Sequence, residues 1–342
     1  MISTGKTGSP SYSNCRVNYE GVLGAVGNTP LVKLSRILEN TDIQLFAKLE
    51  SFNPAGSIKD RPARHIIEKA LQSGEISRNT TIIETSSGNF AIGLAQVCAF
   101  YGLRFICVLD RRATEMNLSI LSAFGVQIEV VEEPDPESGE FLQACVQRVQ
   151  AIRQTLPDSF WPDQHNNPDN ARAHHETMRE IVRDLDGQVD YLFCATSTCG
   201  TLRGCAEYAR EHGLSTHIVA VDALGSLIFS NNQQKRYIPG HGAGKVPGIF
   251  APDLADEHVH VSALQSIAGC RMLLQKEAIF AGGSSGGIIS AVLAKAHTLK
   301  PGSNCVVVIC DRGDRYLDTV YCDRWVAENF AGSPEYNRLF MN

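Results

Sequence analysis

The sequence predicts an α/β fold of about two domains, built on mostly parallel β-sheet. The chain has 342 residues, enough for two domains of ordinary size. From Gln44 onward, short β-rich segments alternate with segments of helical length, a pattern typical of parallel sheets covered by helices. Most of the β-rich segments are continuous apolar runs, which indicates strands buried on both faces.

The alternation resolves into seven strands and eight helices, without an internal repeat. The predicted strands are residues 44–49, 81–84, 104–109, 127–131, 189–194, 217–221 and 305–310. The predicted helices are residues 58–71, 89–100, 116–124, 141–155, 171–185, 201–211, 263–274 and 286–296. A polar segment rich in Gly and Pro, residues 231–250, is either a lid or a surface loop.

Composition and charge exclude several classes of protein. Hydrophobic residues make up 43% of the chain and charged residues 20%, which is typical of a folded globular protein. The net charge of -6 disfavours a surface for nucleic acid or anionic membrane. No run approaches the roughly 18 apolar residues of a membrane span, and residues 1–14 lack the apolar core of a signal peptide. We therefore expect a cytoplasmic protein with a disordered tail at residues 1–14 and small-molecule ligands.

The cysteine and histidine patterns predict neither a disulfide framework nor a metal centre. The eleven Cys residues include no C-x-x-C pair, and several lie in apolar runs, where a reduced thiol is a small buried hydrophobic group. The ten His residues form no H-E-x-x-H motif. His174-His175 and His258-x-His260 lack a carboxylate or Cys partner at ligand spacing, so we expect both pairs to be solvent-exposed.

Four segments combine into a candidate site, although each alone has an ordinary explanation as an exposed helix lysine, an N-cap or a tight turn. Residues 53–61, N-P-A-G-S-I-K-D-R, place Lys59 on the first turn of a helix. Residues 84–89, E-T-S-S-G-N, follow a strand and open a helix, an arrangement that favours a carboxylate. Residues 197–201, S-T-C-G-T, repeat that arrangement and suit a phosphate. Residues 281–287, A-G-G-S-S-G-G, let the backbone approach a ligand closely.

Together the four segments resemble those of the fold-type II, or β-family, pyridoxal-phosphate enzymes, which include cysteine synthases and cystathionine β-synthases. The resemblance extends over nearly all of residues 21–323. It implies two α/β domains with twisted, mostly parallel sheets and pyridoxal 5'-phosphate in the cleft between them. The larger domain would comprise residues 1–55 and 162–330, the smaller mobile domain residues 56–161, and the C-terminal tail residues 331–342. The family also implies a homodimer.

The resemblance assigns roles to individual residues. Lys59 would hold the cofactor as a Schiff base and act as the catalytic residue, Asn89 would bind the ring hydroxyl, and Ser284 would face the pyridine nitrogen. The cofactor phosphate would be held by Ser197, Thr198, Cys199, Gly200 and Thr201. The α-carboxylate of the substrate would be held by Ser86, Ser87, Gly88 and Gln164. The family usually has Gly at positions 197 and 199, so the conformation of this loop is open.

The expected reaction is β-replacement on a β-substituted serine, with Lys59 taking the α-proton. A neutral Ser284 hydroxyl does not hold a proton on the pyridine nitrogen, which favours loss of a β leaving group over a long-lived carbanion. Residues 131–135, 239–243 and 311–318 differ from those of cysteine synthases. They resemble a branch of the family that joins O-phospho-L-serine to the amino group of L-glutamate, with release of phosphate, on the way to 2,3-diaminopropionate for siderophores or antibiotics.

Two anionic substrates require cationic residues at the mouth of the pocket, and Lys245 and Arg172 are the candidates. Either is otherwise a solvated surface charge. Cys145 and His165 stand where that branch is expected to have Arg and Tyr. Two alternatives therefore stay open. One is a cysteine synthase that accepts sulfide, and the other is a non-catalytic scaffold that binds pyridoxal phosphate.

Overall fold

The computed structural model describes residues 21–39 and 41–341, so the tail predicted at residues 1–14 lies outside the described residues. The strands are Leu31–Leu34 (β1), Gln44–Leu49 (β2), Thr81–Thr85 (β3), Arg104–Asp110 (β4), Gln127–Val131 (β5), Ser159–Phe160 (β6), Tyr191–Ala195 (β7), His217–Ala223 (β8), Glu257–Val261 (β9) and Asn304–Ile309 (β10). The α-helices are Asp60–Ser73 (α1), Asn89–Tyr101 (α2), Glu115–Ala123 (α3), Phe141–Thr155 (α4), Pro168–Arg172 (α5), His175–Asp184 (α6), Gly200–Glu211 (α7), Ala263–Glu277 (α8), Gly283–Lys295 (α9), Asp323–Phe330 (α10) and Pro334–Phe340 (α11). Within this part of the chain, no helix has the length and apolar character to span a membrane.

The larger sheet has six strands in the order β1-β2-β10-β7-β8-β9. β1 pairs antiparallel with β2, and the other neighbours are parallel. The central strands are apolar because helices cover both faces of the sheet. Ile288 and Val292 of α9 pack on one face, and Leu202 of α7 and Ile181 of α6 pack on the other.

The smaller sheet has four parallel strands in the order β5-β4-β3-β6. Ile67 of α1 and Leu94 of α2 belong to the core on one face, and Val149 of α4 belongs to the core on the other. The edge strand β5, whose sequence Q-I-E-V-V is not a continuous apolar run, is only half-buried, whereas the central strand β4 is buried along most of its length. With these two sheets and their helices, the predicted α/β fold is confirmed.

All seven predicted strands are present with ends within two residues of the prediction. The helix predicted at residues 171–185 is instead two helices, α5 and α6. The chain turns between them because the His174 N–H bonds the Ala171 carbonyl at 2.9 Å, which is three rather than four residues back. Strands β1, β6 and β9 and helices α10 and α11 were not predicted, and α11 lies in the segment expected to be a tail.

The segments of the candidate site meet where β10 ends. Ser57 forms an isolated antiparallel bridge with Asp311, and Ala281 forms one with Arg312. The Ile58 N–H also donates to the Cys310 carbonyl at 2.8 Å. The turn before α1, the start of α9 and the residues after β10 are therefore held together by backbone hydrogen bonds.

Candidate active site

Lys59 occupies the N-cap position of α1, on a turn whose shape is fixed by its own residues. Gly56 has a φ of 87°, a left-handed conformation that favours glycine. The Asp60 carboxylate accepts hydrogen bonds from the Ala55 N–H at 2.6 Å and from the Ser57 hydroxyl at 3.3 Å. Burial raises the pKa of Asp60 to about 7. This turn places the Lys59 side chain near Cys199 and Asp311, in the space between the start of α1 and the loops after β3, β7 and β10, which we call the cleft.

The Lys59 amine has no hydrogen-bond or ion-pair partner among the described residues. Loss of solvation lowers the pKa of Lys59, and the nearby Cys310, Cys199 and Asp311 oppose this only in part. A lysine with a lowered pKa has a larger neutral fraction, and only the neutral amine is a nucleophile or a base. The environment therefore activates Lys59 for covalent chemistry.

Behind Lys59, α1 is anchored by a buried cluster of charges. The Arg61 guanidinium pairs with Glu50 at 2.7 Å and with Glu180 at 2.8 Å, and Lys48 pairs with Glu180 at 2.6 Å. Burial opposes the charge on Glu180, but the hydrogen bonds from Arg61 and Lys48 hold its pKa down to about 2. Replacing one member of the cluster with a neutral residue would leave a buried charge unpaired, so we expect it to lower the free energy of unfolding strongly.

The β3–α2 loop, residues 86–88, presents free hydrogen-bond donors. In the described part of the chain, the N–H groups of Ser87, Asn89 and Phe90 have no acceptor. The Asn117 side chain supports the loop by donating to the Ser87 carbonyl at 2.8 Å. A Cβ atom at Gly88 would meet nothing within 4 Å, so the loop is open toward the cleft. Free N–H groups at a helix N-terminus, with the hydroxyls of Ser86 and Ser87, suit a carboxylate.

Glu84 lies buried directly beneath this loop. Its Oε1 accepts hydrogen bonds from the Thr85 N–H at 2.7 Å and from the Trp161 indole at 3.0 Å. Its Oε2 has no partner among the described residues. Burial raises the pKa of Glu84 to about 8, so the carboxyl is mostly neutral at pH 7 and does not repel an anion bound at the loop.

The β7–α7 loop, residues 196–199, presents a second set of donors. Among the described residues, the N–H groups of Thr198, Cys199, Gly200 and Thr201 have no acceptor. Cys199 has a φ of 64°, whereas Ser197 does not have a positive φ. Of the two positions where the family usually has Gly, only position 199 therefore uses the left-handed conformation. Free N–H groups on four consecutive residues at the start of a helix suit a phosphate.

The β7–α7 loop is packed tightly from behind by α5. The Asn170 amide donates to the Gln164 carbonyl at 2.7 Å and to the Thr198 hydroxyl at 3.2 Å. A Cβ atom at Gly200 would lie 2.2 Å from Asn170 Oδ1, and one at Gly204 would lie 2.0 Å from the Ala171 carbonyl oxygen. Glycine is required at both positions because α5 leaves no room for a side chain.

His174 corrects an expectation from the sequence. Its ring is fully buried rather than solvent-exposed, with Nε2 3.4 Å from the Thr201 hydroxyl and Nδ1 3.2 Å from the Thr177 hydroxyl. Burial holds the pKa of His174 well below its ordinary value, so the ring is a neutral support for the β7–α7 loop. No group of three or more potential metal ligands occurs in residues 21–39 and 41–341.

The start of α9 presents Ser284 to the cleft. Ser284 is 6% exposed, and the neighbouring Ser285 hydroxyl accepts a hydrogen bond from the Cys310 N–H at 2.9 Å. A Cβ atom at Gly282 would lie 2.0 Å from Asp311 Oδ1, and one at Gly286 would lie 2.0 Å from the Ser266 carbonyl oxygen. These two glycines let other parts of the protein approach closely. The approach of this segment to a ligand stays a prediction.

Asn89 is oriented by the segment that follows β10. Its Nδ2 donates to Asp311 at 2.8 Å, and its Oδ1 accepts from Arg315. Tyr316 donates to the same Asp311 oxygen at 2.7 Å, and Arg315 also donates to the Ala55 carbonyl at 2.6 Å. Burial raises the pKa of Asp311. One N–H of the Asn89 amide is left for a ligand. Sequence analysis singled out the segment but not this role.

The predicted cations lie in different surroundings. Arg172 is exposed on α5 and pairs with Asp169 at 3.0 Å. Lys245 is exposed, and its charge acts on His165 in the cleft. Sequence analysis missed Arg236, which donates to the Gly242 carbonyl at 2.9 Å and has no carboxylate at ion-pair distance among the described residues. No local motif distinguishes Arg236 from other loop cations.

The segment at residues 231–250 packs over the β7–α7 loop. The Gly242 N–H donates to the Thr196 carbonyl at 2.7 Å. Gln233 reaches Glu140, at the start of α4, with a hydrogen bond of 3.0 Å. The segment therefore connects the large-sheet side of the cleft with the small-sheet side.

The donor set of the cleft fits pyridoxal 5'-phosphate. The unpartnered Lys59 amine suits the aldehyde, the four N–H groups at residues 198–201 suit the phosphate, and the Ser284 hydroxyl suits the ring nitrogen.

The chain belongs to the pyridoxal-phosphate dependent enzyme family, whose sequence profile matches residues 22–311. The predictions of an enzyme and of pyridoxal 5'-phosphate as its cofactor are confirmed.

Two curated relatives are similar over nearly their full length. The chain is 44% identical to the N-(2-amino-2-carboxyethyl)-L-glutamate synthase of Ralstonia nicotianae, over 90% of this chain and 91% of that protein. It is 41% identical to the enzyme of the same name from Cupriavidus metallidurans, over the same shares. Among solved structures, it is similar to the cysteine synthase of Entamoeba histolytica, with a TM-score of 0.83, 31% identity and coverage of 93% of this chain and 94% of that chain. The fold is therefore fold-type II.

Proposed function

We propose that the protein catalyses β-replacement between O-phospho-L-serine and L-glutamate, giving N-(2-amino-2-carboxyethyl)-L-glutamate and phosphate. The observation that carries this proposal is the 44% identity, over 90% of the chain, with a relative named for that product. The segment at residues 311–318, which differs from that of cysteine synthases, supports it because Asp311 and Arg315 of this segment orient Asn89.

The α-carboxylate of the first substrate binds at the β3–α2 loop. The free N–H groups of Ser87 and Asn89 and the hydroxyls of Ser86 and Ser87 are the donors. Gln164 is buried beside Asn170, which bonds its backbone carbonyl, and we assign its side chain to the same carboxylate. The neutral Glu84 beneath the loop avoids repulsion of the anion.

Lys59 takes the α-proton of the first substrate. Its lowered pKa enlarges the neutral fraction of the amine, which is the form that accepts a proton. The cofactor, when bound, supplies an electron sink that stabilises negative charge at the α-carbon. Ser284 offers the ring nitrogen a hydroxyl rather than a carboxylate, which favours expulsion of the β-substituent over prolonged storage of that charge.

Cations at the mouth of the cleft receive the anionic groups of the substrates. Lys245 and Arg236 carry positive charges that no described carboxylate pairs at close range. A phosphate dianion and a dicarboxylic amino acid both require such charges. The Arg172 guanidinium is already paired with Asp169, so this function does not depend on it.

The test is to mix the purified enzyme with O-phospho-L-serine or O-acetyl-L-serine and one nucleophile, and to follow phosphate release and product mass. The nucleophiles are L-glutamate, other amino acids and sulfide. We expect efficient formation of the glutamate adduct from O-phospho-L-serine. The Lys59→Ala variant is the control, and it should form no adduct.

Two alternative functions predict other products. A cysteine synthase, the kind of enzyme found in the similar Entamoeba structure, would form cysteine and no glutamate adduct. A non-catalytic scaffold would release no phosphate in a single turnover. An adduct with a different amine would retain β-replacement and change the second substrate.

We also propose a homodimer in which residues 56–161 form a smaller, mobile domain. The four strands of the smaller sheet and helices α1 to α4 lie between residues 60 and 160, which supports this division. Light scattering coupled to size-exclusion chromatography measures the oligomeric state. Hydrogen exchange with and without O-phospho-L-serine measures whether residues 56–161 respond as a unit.

A further inference from the structure

His165 lies within electrostatic range of Lys59 and has no part in the steps assigned to Lys59 and the two loops. The residue follows the buried Gln164, and its backbone carbonyl accepts a hydrogen bond from the Ile249 N–H at 3.2 Å. That bond fixes the turn against the segment at residues 231–250. The His165 ring is half-buried and makes no hydrogen bond to any residue in the described part of the chain.

Three charged groups lie within electrostatic range of the His165 ring. They are Lys59 at the start of α1, Lys245 on the loop above, and Asp163 on its own turn. Asp163 is engaged elsewhere, because both of its carboxylate oxygens accept hydrogen bonds from the Asn166 amide at 2.8 and 3.0 Å. Burial, with the two lysines, lowers the pKa of His165 against the opposing effect of Asp163. The ring is therefore neutral near pH 7 and has a free lone pair.

An amine nucleophile must lose a proton before it reacts, whereas sulfide does not need a base in the site. An amino acid arrives as its ammonium form, and the nitrogen has no lone pair for bond formation until one proton is removed. Sulfide is already largely anionic at mildly alkaline pH. A site that uses an amino acid therefore needs a base in addition to the one that takes the α-proton.

Other titratable groups near the cleft are poorly suited to this task. Lys59 is already assigned to the α-proton. Asp311 is committed to Asn89 and Tyr316, and Glu84 is mostly protonated and lies beneath the β3–α2 loop. Asp60 accepts hydrogen bonds from Ala55 and Ser57 on the turn before α1. His165 combines a half-buried position near Lys59 with a ring that makes no hydrogen bond to a described residue.

We propose that His165 is the general base that accepts a proton from the ammonium group of the second substrate. The identity of that amine rests on the proposed function. One proton passes from nitrogen to the imidazole, and the freed lone pair forms the C–N bond at the β-carbon, from which the leaving group has departed with its bonding electrons. Lys59 returns the α-proton, and the imidazolium releases its proton to solvent.

The kinetic test compares two nucleophiles in the holoenzyme. His165→Gln should lower kcat with glutamate by at least about 100-fold, the usual contribution of a general base, and leave turnover with sulfide within about twofold. Release of phosphate from O-phospho-L-serine in a single turnover should be unchanged. His165→Ala should respond to added imidazole with recovery of the glutamate reaction, which a merely structural role would not show. His297→Gln, at an exposed histidine, is the matched control.

A second readout does not depend on activity. The ¹⁵N-histidine spectrum of the holoenzyme, with His165 assigned by its loss in His165→Gln, should show a neutral ring at pH 7. An imidazolium at pH 7 would overturn the assignment, as would equal losses with glutamate and sulfide in a folded His165→Gln enzyme. If the losses with glutamate and sulfide were equal, the proposed function would still stand and only the role of His165 would be refuted.

The remaining outcomes separate the two proposals. A wild-type enzyme that uses sulfide and no amine would refute the proposed function. It would also refute the proposal that His165 is the general base for an amine substrate. If the wild-type enzyme uses a different amine and His165→Gln selectively loses activity with that amine, the role of His165 would stand. That amine would then replace glutamate as the second substrate. Thermal unfolding of each variant establishes that it is folded.

Discussion

The β3–α2 loop and the β7–α7 loop begin alike and differ in what lies behind them. Each follows a parallel strand, opens a helix and presents N–H groups without a described acceptor. The β7–α7 loop is pressed against α5, with no room for a side chain at Gly200, and it contains a left-handed Cys199. The β3–α2 loop has open space at Gly88 and a buried carboxyl group, Glu84, beneath it.

In the proposed function, the difference between the loops matches how long each ligand would stay bound. A phosphate that belongs to a resident cofactor is best held by a rigid loop, because donors that are already in place need no ordering when the ligand binds. A substrate carboxylate must enter and leave in every turnover, and open space around Gly88 permits this. In the proposed function, the same strand–loop–helix arrangement would therefore serve two purposes, and the packing behind each loop would decide which ligand it suits.

The largest expected effect comes from Lys59, which lies between the two loops. Its carbonyl oxygen is 3.2 Å from a Cβ placed at Gly93 of α2, and its amine acts on the Cys199 thiol. Lys59→Ala should lower turnover by at least about 10⁴-fold, because one amine serves as the attachment point and the base. Borohydride reduction of the wild-type holoenzyme and peptide mapping should place the cofactor label on Lys59. A label on another lysine would refute the assignment.

The second expected effect contrasts a glycine from each loop region. Gly200→Ala should lower the free energy of unfolding by about 3 kcal/mol, because the new Cβ would overlap Asn170, and it should weaken cofactor binding. Gly88→Ala meets no atom within 4 Å and should change the free energy of unfolding by less than about 1 kcal/mol. Urea unfolding and titration with pyridoxal phosphate measure both. Equal losses in the two variants would contradict the difference in rigidity.

The third expected effect is a pH dependence that belongs to the β3–α2 loop. The pKa of Glu84 is raised from 4.5 to about 8 by burial, so between these values the folded protein binds more protons than the unfolded chain. Stability should therefore fall as pH rises through this window, by up to about 1.4 kcal/mol per pH unit for this group. Glu84→Gln should remove that part of the slope in urea unfolding measured from pH 5 to 9.

Two features of the chain test this slope further. Asp60, with a pKa raised to about 7, should leave a residual slope of the same sign in Glu84→Gln. Glu75→Gln, at an exposed position, is the matched control and should retain the wild-type slope. A Glu84→Gln variant with the wild-type slope would show that Glu84 is ionised in the folded protein, and the carboxylate at the β3–α2 loop would then face a negative charge.

These effects differ in how far the sequence could predict them. The alternation of β-rich and helical segments was sufficient for seven of the ten described strands, and residues 53–61 were sufficient to place Lys59 at the start of a helix. The contact of Asn89 with Arg315 joins residues 226 positions apart, and no local pattern encodes such a pairing. The protonation of Glu84 depends on burial, and β6, which has two residues, is too short for a periodic signal.

The smallest expected effect isolates the left-handed residue of the β7–α7 loop. Cys199→Gly and Cys199→Ala both remove the thiol and differ only in Cβ. A φ of 64° destabilises an L-residue by roughly 1–2 kcal/mol, and glycine avoids this strain. Glycine also gives the unfolded chain more conformational entropy, which offsets part of the gain. The Gly variant should therefore be more stable than the Ala variant by about 1 kcal/mol. At Ser197, which has no positive φ, the order should reverse by about 0.5–1 kcal/mol. Urea unfolding of all four variants without cofactor measures these differences, and repetition with saturating cofactor adds the effect on binding. If Ala and Gly were equally stable at position 199, the strain would be absent there, and the rigidity of the loop would rest on the packing of Gly200 alone.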